Sequence, residues 1–315
     1  MSNQVISKRK KSNVFKKENI PLHLMALPGF LWFIIFSYLP MAGLLMAFQR
    51  YNARLGIFGS EFVGFDNFRF LFASTETFNF TRNTVLYFFV YLFTRIFFAV
   101  TIALILSMLR TRKSAKVLQS VYLMPYFLSW AVVATAVNAL ISQGGGIDQL
   151  LRGVGFMPFA DSWYMTRSFW PPFLVLINSW KYVGYWAVIY LAVISGISAD
   201  LYEAAMVDGA GKFKQAWYIT VPHLRFIITI SIILAMADIV RGDIGLHYAV
   251  PNSDNIGFII PVIDIIDTYI FRGLRTAANI GMSAAATFYQ SVVGLIMILI
   301  SNWIARKIDA ESAMF

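Results

Sequence analysis

The chain has 315 residues, 58% of them hydrophobic and 13% charged, with a mean hydropathy of +0.65. A soluble domain is roughly half apolar and a quarter charged, so lipid must be the solvent for much of this chain. The net charge of +10 lies in clusters beside apolar runs, a membrane-topology signal that argues against nucleic acid as a partner. The absence of cysteine excludes disulfides and thiolate metal sites.

In chain order, six of the 26 basic residues fall between Lys8 and Lys17, and residues 1–23 read as a basic cytoplasmic segment. The apolar run at about 24–48 is long enough to span a bilayer and lacks the small-residue cleavage site of a signal peptide. Further spans are expected at about 84–109, 117–141, 173–195, 224–241 and 282–305. The expected fold is an all-α integral membrane protein with six transmembrane helices over 24–305, followed by a cytoplasmic tail at 306–315. With the N-terminus inside, the inner segments hold fifteen basic residues and the outer loops nine, all arginine. Every lysine except Lys181 is then cytoplasmic, as the positive-inside rule requires, and both termini are cytoplasmic. Asn255–Phe271 is apolar but short, contains Pro261 and carries Asp264 and Asp267 without evident partners. Charges cost several kcal/mol at a bilayer centre, so an interfacial or re-entrant piece on the outer face is expected there. Gly281, Ser283, Ala284, Ala285 and Ala286 suit close helix packing, within the core or with another subunit.

Between the fourth and fifth spans lies a polar insert at 200–222. Asp200-Leu-Tyr-Glu203 has the form of a capping box, and the short helix it starts should stop near Gly209. Lys212–Ile219 is expected as a second short helix, after which Pro222 opens the next span. Phe213, Trp217 and Ile219 are then available to a partner or to lipid. Gly209-Ala-Gly-Lys212 is not a phosphate loop: that motif needs glycine five positions before the Gly-Lys pair and Ser or Thr after it, where this chain has Met206 and Phe213.

Glu203-Ala204-Ala205, then Gly209, Ile219, Val221 and Pro222, resemble the EAA motif of ABC-importer permeases, with Val221 in place of the usual leucine. Trp180-Lys-Tyr-Val-Gly184, Tyr190-Leu-Ala, Asp267-Thr-Tyr-Ile-Phe-Arg272, Ser291-Val-Val-Gly294 and Asn302-Trp-Ile-Ala-Arg306 extend the likeness over nearly the whole chain from Pro28. The chain is similar to the polysaccharide-type branch of the type I, maltose-like permeases. It departs at Arg241-Gly-Asp-Ile-Gly245, where relatives usually carry a Phe-Asp-Gln stretch. The resemblance implies the type I permease fold, with the insert as coupling helices gripped by ATPase subunits. Glu203, Ala204, Ala205, Asp208, Gly209, Phe213, Ile219 and Pro222 would carry that contact. It implies no catalysis and no cofactor on this chain, ATP and Mg being bound by the partners. Those partners are two ATPase subunits, a second homologous permease subunit and an extracytoplasmic solute-binding protein, assembled at the cytoplasmic (inner) membrane.

Arg95, Lys181 and Asp238 are the ionisable side chains expected inside spans. Arg95 lies ~16 Å below the outer end of its helix at ~1.5 Å per residue. Such groups mark a pathway, although Lys181 can also snorkel and Asp238 can pair with Arg241. Trp180, Tyr182, Tyr185 and Trp186 surround Lys181, and helical spacing prevents all four from sharing one face. Arg95 and Lys181 together point to an anionic saccharide such as a uronate oligomer. The competing readings are a stand-alone secondary transporter and a polytopic membrane enzyme acting on lipid-linked sugars. The first should show internal repeats and the second an acidic or metal cluster; neither is visible, and His23, His223 and His247 are scattered.

Overall fold

The computed structural model describes residues 20–109, 111–155, 163–236, 238–252, 257–275 and 279–308. The basic cluster at 8–17, Arg110 and the tail beyond 308 lie outside these described residues.

Helix α1 (Ile20–Phe33) continues through a π turn and a 3-10 segment to Phe48 as one apolar rod whose α-helical part buries no residue against its own chain. A small hairpin follows, β1 (Gln49–Arg50) pairing antiparallel with β2 (Glu61–Phe62) around the short α2 (Gly56–Gly59). After α3 (Arg69–Ala73), α4 (Thr75–Ser107) runs 33 residues from a Ser74 N-cap, whose hydroxyl accepts from the Thr77 amide at 3.4 Å. The remaining elements are α5 (Arg112–Leu123), α6 (Trp130–Ile141), α7 (Gly146–Gly153), α8 (Trp170–Ser195), α9 (Ala199–Val207), α10 (Lys212–Gln215), α11 (Val221–Met236), α12 (Ile260–Ile263), α13 (Ile266–Arg275) and α14 (Ile280–Ile308).

Among the described residues, five helical stretches are long and apolar enough to cross a membrane: Ile20–Phe48, Thr75–Ser107, Trp130–Gly153 (interrupted at 142–145), Lys212–Met236 and Ile280–Trp303. A sixth is Trp170–Ser195, which joins Ala199–Val207 at a bend of 73°. Three expectations change in detail. The run at 117–141 is two helices, because Pro125 lacks an N–H and Ser129 restarts the chain as an N-cap, its hydroxyl accepting from the Val132 amide at 3.3 Å. The fifth span ends at Met236, so Asp238 lies in the turn beyond it. Lys212–Met236 is one unbroken helix rather than a short helix followed by a span. A π turn at Ala216–Thr220, where the Val221 amide reaches the Ala216 carbonyl, relieves the clash that Pro222 would otherwise make with the preceding turn.

Helices α4 and α8 form the centre. Near the insert, Ala99, Ala103 and Ala187 pack with Val183, Tyr190 and Leu224, small side chains allowing close approach without a water-driven term. Gly184 is essential there: a Cβ would stand 1.9 Å from the Tyr122 carbonyl oxygen. At the opposite end, Tyr87, Val133, Trp170, Leu174, Leu246, Ile259 and Ile263 form a second core. A third joins Ala47, Phe68, Phe80 and Ile266 to Ala285. The small residues of α14 therefore pack within this chain, and a Cβ at Gly281 would lie 2.8 Å from Asn67 Nδ2.

The segment around Pro261 is broken and buried: α12 stops at Ile263, Asp264 is extended, and α13 starts at Ile266. Buried backbone outside a helix needs hydrogen-bond partners, and α4 supplies them. Asn83 Nδ2 donates to the carbonyls of Pro261 (3.0 Å) and Asp264 (2.9 Å), Tyr87 donates to Val262 (2.7 Å), and Thr84 accepts from the Ile266 amide (3.0 Å). Both aspartates have partners after all. Asp264 takes a bidentate pair from Arg272 at 2.7 and 2.6 Å plus the Thr268 hydroxyl. Asp267 accepts from the Gly242 amide at 2.7 Å.

Candidate translocation cavity and coupling insert

One face of α4, at Thr84, Tyr87, Phe88, Tyr91, Leu92 and Arg95, meets one face of α8, at Asn178, Tyr182 and Trp186. Both sets follow the three-to-four-residue helical repeat. Together with the segment 241–247 they enclose a cavity of about 660 Å³.

Two cations line its wall: Arg241, which lies beside Asp238, and the more deeply buried Arg95. Its Nε is buried without a hydrogen-bond partner, and no carboxylate among the described residues comes within ion-pair distance. Its guanidinium carbon lies 5.2 Å from the Tyr182 ring centroid and 5.9 Å from that of Trp186. Such cation–π contacts contribute ~0.5–2 kcal/mol and leave the N–H edge free. Asp243 is the nearby anion, and its carboxylate is committed elsewhere. Oδ2 accepts from Trp130 Nε1 and from the Tyr182 hydroxyl, each at 2.7 Å. Gly245 lets its strand of backbone close on Trp130, since a Cβ would sit 2.2 Å from that ring. His247 is fully enclosed: Nδ1 donates to the Ile263 carbonyl (2.7 Å), so in the neutral ring Nε2 accepts from the Tyr91 hydroxyl (3.0 Å).

The other predicted path residues divide. Tyr182 and Trp186 line the cavity, as does Asp238, whose exposed contact with Arg241 at 3.8 Å contributes at most ~1 kcal/mol. Trp180 and Tyr185 face outward, Tyr185 stacking on Tyr126 at 4.6 Å. Lys181 neither lines the cavity nor snorkels. It is 5% exposed, and its Nζ donates to the carbonyls of Pro125, Tyr126 and Leu128 at the α5–α6 break. A helix end leaves carbonyls without intrahelical partners, and the buried ammonium satisfies those of Tyr126 and Leu128. Asn178, Asp243, Tyr91 and His247 were not singled out from sequence. The repeat Asn178, Tyr182, Trp186 was the available signal, obscured by the denser aromatic cluster around Lys181.

At the insert, the helix starts earlier than expected. Ser198 is the N-cap, its hydroxyl accepting from the Asp200 amide at 3.3 Å. Asp200 instead lies in the first turn, where its charge complements the helix dipole. Glu203 is exposed and makes no hydrogen bond or ion pair among the described residues, so it does not cap its own helix. Ala204 and Ala205 continue α9, and Asp208 is its C-cap. Gly209 follows at φ +78°, and the Ala210 amide returns to the Ala205 carbonyl at 2.8 Å, the signature of a Schellman stop. Tyr202 to Thr220 (3.0 Å) closes the insert on itself, and Lys212 to the Met108 carbonyl (3.0 Å) ties it to α4. Phe213, Trp217, Tyr218 and Val207 project outward. Ile219 is half-buried and Pro222 lies just beyond the π turn.

Residues 71–310 match the family described as the binding-protein-dependent transport system inner membrane component. The chain is 34% identical over 293 residues to the polygalacturonan/rhamnogalacturonan transport system permease protein YteP of Bacillus subtilis (strain 168), covering 92% of this chain and 89% of the relative. It is 33% identical to Protein LplB of the same organism, covering 92% and 90%. It resembles the crystal structure of a bacterial ABC transporter involved in the import of the acidic polysaccharide alginate. The TM-score is 0.81 at 27% identity, over 93% of this chain and 97% of that one. A second structure, of a bacterial alginate ABC transporter in complex with alginate pentasaccharide-bound periplasmic protein, gives a TM-score of 0.80 at 28% identity, covering 93% and 96%.

Proposed function

The chain belongs to the family of binding-protein-dependent transport system inner membrane components, as a permease subunit of an ABC importer rather than an enzyme, and on that premise we propose that it moves an acidic oligosaccharide of the uronate class. The observation that carries the proposal is Arg95: a half-buried guanidinium on the cavity wall, backed by Tyr182 and Trp186 and matched by no carboxylate of its own. A cation in a membrane cavity is costly unless it meets an anion during the working cycle, and a uronate carboxylate supplies one. Polygalacturonan and alginate, named for YteP and for the structural relative, belong to the same chemical class.

The coupling reading follows from the insert. Transmitting rigid-body closure of an ATPase dimer needs a compact element, and the Schellman stop, the Tyr202–Thr220 bond and the Lys212 tether supply that rigidity. Exposed Glu203, Phe213 and Trp217 are the surface offered to an ATPase subunit. Two ATPases need two such grips and this chain has one, so a second permease subunit completes the complex. ATP and Mg are bound in the ATPases, and a solute-binding protein delivers substrate at the opposite face. The positive-inside pattern puts the insert and both termini in the cytoplasm, with the chain in the cytoplasmic (inner) membrane. Proteoliposomes holding the full complex and its binding protein test the substrate class. ATP-dependent uptake of oligogalacturonate is expected to exceed that of its neutral methyl ester. Equal rates would overturn the acidic assignment.

A further inference from the structure

Asn178 is 2% exposed on the cavity face of α8, and its amide oxygen is buried with no hydrogen-bond partner. An unpaired amide of this kind costs ~1–3 kcal/mol in stability, and buried polar groups are otherwise almost always satisfied. Its neighbours do not share the problem. Ser179 donates to Thr94 at 3.3 Å and the Tyr182 hydroxyl donates to Asp243. Asn178 precedes Tyr182 by one turn on the same face, a rise of ~6 Å, and Arg95 lies over the Tyr182 ring. The cavity wall thus carries a guanidinium without an ion-pair partner and, one helical turn from the ring that backs it, a buried amide whose oxygen has no partner.

Resting on the uronate reading above, we infer that Arg95 and Asn178 form one subsite that reads a single hexuronate unit. Arg95 takes the carboxylate and Asn178 accepts a hydrogen bond from a free ring hydroxyl. Charge alone would admit any small acid. The amide adds a requirement for an unblocked sugar hydroxyl, since a site built to pair a hydroxyl discriminates strongly against a ligand lacking it.

The test uses the reconstituted complex with saturated binding protein, comparing oligogalacturonate with its O-acetylated form, which keeps the carboxylates and blocks hydroxyls. The wild-type complex should import the unmodified oligomer about tenfold faster, corresponding to one hydrogen bond of about 1.4 kcal/mol. In Asn178→Leu and Asn178→Ala the unmodified oligomer should slow about tenfold and the two rates converge. The melting temperature of Asn178→Leu should be unchanged or raised, because the amide satisfies nothing in the protein. Retained discrimination in both variants would overturn the inference. So would a lowered melting temperature with equal loss on both substrates, which would make Asn178 structural. Arg95→Gln, run in parallel against the methyl ester, reports on the acidic reading separately. Loss of charge preference there with intact hydroxyl discrimination in Asn178→Leu sinks only the subsite.

Discussion

Replacing Lys181 by methionine keeps the length of the side chain and deletes its charge and its three donors. The ammonium donates to the Pro125 carbonyl at 3.4 Å, to Tyr126 at 3.2 Å and to Leu128, and lies 5.0 Å from the Trp130 ring centroid. The Pro125 carbonyl keeps the Leu128 amide at 3.2 Å, so it is the carbonyls of Tyr126 and Leu128 that lose their donor, at ~1–3 kcal/mol each. Partial relaxation of the break offsets some of that, so the total should fall near the ~3–5 kcal/mol typical of removing one partner of a buried charged interaction. Lys181→Met should therefore lower the melting temperature of the detergent-purified complex, followed by intrinsic fluorescence, and reduce the recovered yield. Lys181→Gln keeps two donors and should fall between. A Lys181→Met complex that melts with the wild type yet loses uptake of acidic substrate alone would refute this reasoning and return Lys181 to the substrate path.

Further outcomes follow from other sites. Gly209→Val places a β-branched residue at φ +78°, where an L residue is disfavoured by ~1–2 kcal/mol or more. Import per ATP hydrolysed should fall although the subunits still co-purify, and wild-type coupling would contradict the role of the turn. Gly184→Ala sets a methyl 1.9 Å from the Tyr122 carbonyl oxygen, against an ordinary contact distance of ~3.5 Å. It should force α5 and α8 apart and lower both yield and melting temperature. Asp264→Ala removes the bidentate partner of the largely buried Arg272 and should destabilise by about 3–5 kcal/mol, whereas Asp264→Leu combined with Arg272→Met should recover most of it in a double-mutant cycle.

Much of the fold was legible because lipid imposes simple rules. Apolar runs gave the helices, and Glu203, Gly209 and Pro222 marked the insert. What sequence could not supply was the identity of long-range partners. Lys181 sits among aromatics in the chain and reads as a sugar contact, yet its ammonium is spent on carbonyls 53 to 56 positions away. Asp264 and Asp267 looked partnerless because Arg272 lies two turns on and the Gly242 amide lies 25 positions back. Asp243 was passed over as part of a loop, although its carboxylate joins Trp130 on α6 to Tyr182 on α8. Arg95 was legible because a cation near mid-membrane is conspicuous in any context. Asn178 carries no charge and stood in the shadow of its aromatic neighbours.

The central claim is that an unpaired guanidinium in the cavity recognises acidic sugar. It is tested most directly by the ratio of ATP-dependent uptake rates for oligogalacturonate and its methyl ester, measured in proteoliposomes for the wild type and for Arg95→Gln. The ratio should be well above unity in the wild type and approach unity in Arg95→Gln, through loss on the acidic substrate alone. A ratio that stays at its wild-type value while both rates fall together would contradict the claim.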